Sequence, residues 1–129
     1  MVSDDKKAKL RRKFIEERGN IPPPGIQEML DLDPELFNRY LEFSAPFWKK
    51  GPLPPKVREF IIIAVDASVT HMFEPGIRAH IRRALELGAT QDELLQIFEL
   101  ISGLGIHGST LGISVLAEEY PKWINEQNK

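Results

Sequence analysis

The three histidines are the residues of this chain best suited to chemistry near neutral pH, and their spacing groups two of them. His71 and His80 stand either side of Pro75, with Glu74 between them. His107 lies further on, in the small-residue stretch GLGIHGSTLG. An imidazole titrates close to pH 7, and a carboxylate beside it holds one tautomer and favours its charged form. His71 and Glu74, three residues apart, face each other if the helix persists or turns tightly. Glu59 and Asp66 stand out as acids inside an apolar segment. Glu59 either orients a histidine or pairs with Arg58 or Lys56 at the surface. Two kinds of chemistry fit these types: general acid–base catalysis, or coordination of a divalent metal such as Zn, Ni or Fe by His71, Glu74, His80 and His107. The spacing matches no standard zinc signature. The plain alternatives are a structural histidine on an apolar helix face for His80, and a solvated face for Arg78, Arg82 and Arg83.

What the composition rules out is equally useful. No cysteine is present, so disulfides and thiol chemistry are impossible. A net charge of -2 gives no electrostatic case for nucleic acid. No apolar run is long enough to span a bilayer. The opening MVSDDKKAKLRRKF lacks the apolar core of a signal peptide, which makes the cytoplasm the expected location. At 129 residues the chain is expected to be one domain, with residues 1–20 as an N-terminal helical arm.

The elements that must position the histidines are helices. Ser3 caps a first one that stops at Gly19–Asn20. IPPPG is a stiff connector, and Asp33–Pro34 opens a helix whose apolar face carries Leu36, Phe37, Tyr40 and Leu41. The central pair follows. Its first helix is expected from Pro54 to His71, apolar on most sides; its second begins at Pro75, with Ile77, Ile81, Ala84 and Leu85 facing inward and His80 on or beside that face. Gly88 ends it, and Thr90-Gln91-Asp92-Glu93 is a capping box for the next helix, LLQIFELISGL. Gly105, Gly108 and Gly112 then fall near one helical face. A helical glycine costs roughly 1 kcal/mol relative to alanine. Three of them imply close approach of another helix or of a ligand. Pro121 is expected to end that last helix. The pattern places His71, Glu74, His80 and His107 around one pocket.

With these elements in place, the chain resembles the carboxymuconolactone decarboxylase and alkylhydroperoxidase D-like family. The matching residues are LPPKVREFIIIAV, the histidine of IRAHIRRALELGAT, and the helix opened by QDELLQI with its glycine-rich successor. The resemblance implies an all-α, alkylhydroperoxidase D-like fold with a central antiparallel helix pair. It also implies homo-oligomers, often trimers or hexamers, and a site near the family histidine, here His80. The redox branch of the family carries Cys-x-x-Cys before that histidine. Counted forward from Glu59, His71 and Glu74 fall where those cysteines would be. Without thiols the peroxidase cycle cannot run. What the resemblance then implies is a cofactor-independent lyase or isomerase. It would act on a small carboxylated or lactone-like molecule, with His80, His71, Glu74, His107 and Glu59 as site residues and no nucleic-acid or membrane partner. A metal-dependent protein and a non-catalytic family member are the other readings.

Overall fold

The structure, a computed structural model, describes residues 3–129. Those residues form seven helices and no strand: α1 (Asp4–Arg18), α2 (Ile26–Leu32), α3 (Pro34–Lys49), α4 (Pro55–Ala67), α5 (Glu74–Glu86), α6 (Gln91–Ile101) and α7 (Ile106–Gln127). None of them is long and apolar enough to cross a membrane. The helices fall into two compact units, Met1–Pro52 and Leu53–Lys129.

In the first unit α1 is more than an arm. Leu10 and Phe14 are buried with Leu30, Phe37 and Leu41 in a core of its own, and the Phe14 and Phe37 rings lie 5.8 Å apart. Arg18 lies over the rings of Phe14, Tyr40 and Trp48 and donates to the Ser44 hydroxyl, so the charged end of α1 is itself packed. Two apolar positions of α1, Leu10 and Phe14, four residues apart, carry this packing.

The second unit holds every histidine. Its core is Ile63, Ala67, Ile77, Ile81, Ala84, Leu94, Phe98 and their neighbours on α7, Val115 and Leu116. Asp66 at the end of α4 lies against Gly76 at the start of α5, and Glu59, two turns earlier, reaches His80; α4 and α5 therefore run antiparallel. Lys56 on α4 pairs with Glu93 on α6 at 3.0 Å, in the same first turn where Thr90 and Glu93 close their capping box.

Two boundaries differ from the sequence reading. α4 stops at Ala67 rather than near His71, because Ser68 turns out of the helix and its hydroxyl donates back to the Val65 carbonyl. Residues Ser68–Phe73 form a compact turn, closed by the Phe73 amide on the Asp66 carbonyl at 2.7 Å. Pro121 does not end α7, which continues to Gln127. An internal proline forfeits one helical bond and costs about 3 kcal/mol. Here Tyr120 and Trp123 pack on the core and Glu126 pairs with Arg82 of α5, so the residues beyond the proline are anchored.

The glycine stripe is settled by contact. A Cβ at Gly108 would lie 2.3 Å from the Ala67 carbonyl oxygen, and one at Gly112 would lie 2.1 Å from the Phe98 ring. These glycines exist to let α7 close on α4 and α6. The space beside Gly105 is filled by Val69, so the room expected there for a ligand is occupied by protein.

Candidate functional site

Glu59, at the first turns of α4, is buried to 4% exposure. Its Oε2 lies 2.7 Å from Nδ1 of His80 on α5. A carboxylate that far from water needs a donor, and Lys56, one turn earlier, has turned to Glu93. The ring nitrogen that faces Glu59 carries the proton and donates it. In the neutral ring that fixes the tautomer and leaves Nε2 without a proton.

The other nitrogen faces a second buried acid. His80 Nε2 is 3.9 Å from Asp66 Oδ2, and His71 Nε2 is 3.4 Å from Asp66 Oδ1. One carboxylate thus turns one oxygen toward each imidazole. His80 is mostly covered, its side chain 19% exposed; His71 is at the surface, 52% exposed. Burial pushes the Asp66 carboxyl above its ordinary value, while the two histidines pull it back. Gly76 makes room for it, since a Cβ there would sit 2.2 Å from Asp66 Oδ2. His71 is presented by the Ser68–Phe73 turn, in which Met72 takes φ +50°. A left-handed conformation is uncommon for a side chain of this size and is held only where the surroundings impose it. His71 also lies 5.7 Å, ring to ring, from Phe73.

The remaining residues of the expected pocket stand apart. Glu74 is exposed and pairs with Arg78, one turn along α5, at 2.7 Å. The early end of α4 is the reason: with His71 on a turn rather than a helix, the three-residue spacing no longer points Glu74 at it. His107 is exposed at the second position of α7, and its backbone carbonyl accepts from Thr110. Its neighbours Gly105 and Gly108 pack against Val69 and Ala67. Among the described residues no group of three or more His, Asp or Glu could hold a metal ion, so the donor set His71, Glu74, His80 and His107 does not fit one.

Asp66 is the residue the sequence reading left out of the site. Its signal was present, an acid in a buried helix, but a lone buried acid does not name its partner. The arginines were read as a solvated face. Arg78 and Arg82 instead clamp α5 to α7: Arg78 holds Glu118 at 2.9 Å and Glu119 at 2.6 Å, and Arg82 holds Glu119 at 2.9 Å and Glu126 at 2.5 Å.

Known proteins agree with this architecture. The carboxymuconolactone decarboxylase family matches residues 34–102, more than half of the chain. A structure from Burkholderia xenovorans, described as a candidate gamma-carboxymuconolactone decarboxylase subunit, is 42% identical with a TM-score of 0.74. That match covers 95% of this chain and 49% of the other, so this chain spans about half the length of that relative. A second structure from the same organism, a candidate carboxymuconolactone decarboxylase, shares the fold at 17% identity and a TM-score of 0.70, over 97% of this chain and 98% of its own. No curated protein matches. The matched span contains α4, α5 and the whole Glu59–His80–Asp66–His71 cluster, and on that match the chain belongs to the carboxymuconolactone decarboxylase family.

Proposed function

We propose that this protein is a cofactor-independent lyase or isomerase acting on a small carboxylated, lactone-like compound, with His80 as the general acid–base. The observation that carries this is the buried Glu59 carboxylate on His80 Nδ1 at 2.7 Å. The carboxylate orients the ring and stabilises the imidazolium, so Nε2 can take or deliver a proton at a carbon next to a carbonyl. Asp66 faces Nε2 from the other side, at 3.9 Å. Among the described residues no group of three or more His, Asp or Glu supports the metal-dependent alternative in the same way.

The direct test is turnover. Purified protein is incubated with a panel of small carboxylated lactones, and carbon dioxide release and product are followed by NMR. Loss of the carboxylate, or migration of the double bond with solvent deuterium incorporated, is the expected result. A panel with no reaction above a His80→Ala control would overturn the reading.

The protein is also proposed to work as a homo-oligomer. Ile61 and Val65 on α4 and Leu100 on α6 are exposed, and between these helices lies an apolar groove of about 380 Å³ lined by Val57, Phe60, Ile61, Ala64, Ile97 and Leu100 among others. Contiguous apolar surface of this kind marks an interaction site. Light scattering at micromolar concentration is expected to return a multiple of 14.7 kDa.

A further inference from the structure

We infer that Asp66 and His71 form a proton-return path, reloading His80 from solvent after each decarboxylation. The inference builds on the acid–base reading of His80, but the coupling it requires between the two rings stands on geometry alone. Asp66 aims Oδ1 at His71 and Oδ2 at His80, at 3.4 and 3.9 Å. A small rotation of the carboxylate brings either oxygen to hydrogen-bond distance. The inner ring is mostly covered and the outer one half exposed, so the acid links a shielded imidazole to one in contact with water.

Decarboxylation needs such a link. The net reaction is R–COO⁻ + H⁺ → R–H + CO₂. The carbon–carboxyl bond breaks, its electron pair stays on carbon, and carbon dioxide leaves. That carbon takes the Nε2 proton of His80, leaving a neutral imidazole. Nδ1 cannot resupply it, because it is committed to Glu59. Protonated Asp66 can: Oδ2 gives its proton to Nε2, and Oδ1 regains one from the His71 imidazolium, which regains its own from water. Burial pushes the Asp66 carboxyl above its ordinary value, with the two histidines pulling the other way. The surroundings are built for this position rather than incidental to it. Gly76 leaves the space that the carboxylate fills, and the left-handed Met72 holds the turn that presents His71.

The charged groups around the path include Arg58, beside Glu59 on α4. Glu59 of α4 faces His80, His80 of α5 and His71 of the turn face Asp66, and Glu118 and Glu119 of α7 are engaged with Arg78.

The test uses the full chain and His71→Asn, a change at a half-exposed side chain. The ring nitrogens are followed by ¹⁵N NMR from pH 5 to 9. His71→Asn is expected to move the His80 titration midpoint, and to leave it unmoved when Asp66→Asn is already present. An unchanged His80 midpoint in His71→Asn overturns the path whether or not a substrate is known. With a substrate in hand, His71→Asn is expected to lower kcat about tenfold, short of the roughly hundredfold or more that loss of the general acid costs. Added imidazole should restore it, which a purely structural role would not allow. A variant with wild-type kcat and pH profile overturns the path. A wild-type chain inert toward every carboxylated compound counts instead against the acid–base reading, and the titration still decides the coupling.

Discussion

Helix α5 carries two polar faces that solve the same problem in different ways. On one, Arg78 and Arg82 meet the buried Glu119 of α7. On the other, His80 meets the buried Glu59 and Asp66 of α4. Each face puts acids out of reach of water, and each supplies cationic partners. The difference lies in whether the partner can lose its charge. Arginine cannot, so the α5–α7 face is a permanent ion-pair network. Burial pushes the Glu119 carboxyl up, but hydrogen bonds from Arg78 and Lys122 outweigh it and hold the group below its ordinary range. Histidine can lose its proton; burial pushes the Asp66 carboxyl above its ordinary range, and the two histidines pull it back only in part. A clamp and a site are thus distinguished on one helix by the choice of cation alone.

That contrast can be broken experimentally in order of expected size. His80→Gln, whose side-chain amide can still donate to Glu59, should lower kcat by about a hundred- to ten-thousandfold on any substrate found, while the thermal midpoint and the helical circular dichroism spectrum stay near wild type. A large loss of stability in that variant would mean that the α4–α5 face is a clamp as well. Glu119→Ala should do the reverse. Breaking a fully buried pair costs about 3–5 kcal/mol. With Arg78 and Arg82 about a third exposed and keeping Glu74, Glu118 and Glu126, about 2 kcal/mol is expected from urea unfolding, with kcat little changed.

The smallest effect is the most discriminating. Glu119 is lowered from 4.5 by folding, so its contribution to stability is present above that value and lost as pH falls through the folded one. Asp66 is raised from 3.8, so its contribution is present below that value and lost as pH rises through the folded one. Urea midpoints between pH 4 and 7 should therefore move in opposite directions. Relative to wild type, Glu119→Gln should lose least at the acid end, whereas Asp66→Asn should gain toward neutral pH. Parallel curves for the two variants would show that the faces are electrostatically alike.

Much of the fold was legible because local rules and packing agree. The Asp33–Pro34 start, the Thr90–Glu93 box and the apolar faces of α4 to α6 need only periodicity and cap chemistry. The histidine pair was legible in part. Glu59 and His80 are 21 residues apart, and only the antiparallel packing of α4 on α5 brings them to contact. What escaped depends on direction in space. Glu74 was grouped with His71 by count, but a turn that starts at Ser68 sends it to Arg78. His107 was grouped by its glycines, yet Gly108 and Gly112 serve helix contact with Ala67 and Phe98. Pro121 reads as a stop because its local cost is plain, whereas the Trp123 packing and the Arg82–Glu126 pair that offset it are tertiary.

Gly76 has no side chain to donate, accept or titrate, yet it constrains the site as firmly as any histidine. Its hydrogen occupies the place where even a methyl group would collide with the Asp66 carboxylate and the Phe73 ring. The constraint is one of volume, not of charge. His71, half exposed, is open to drift and to exchange for other polar groups as substrates change. Position 76 is not, because every alternative is larger. An engineer reshaping this surface for a new substrate would find the most permissive and the most forbidding positions five residues apart, with the forbidding one bearing no functional group at all.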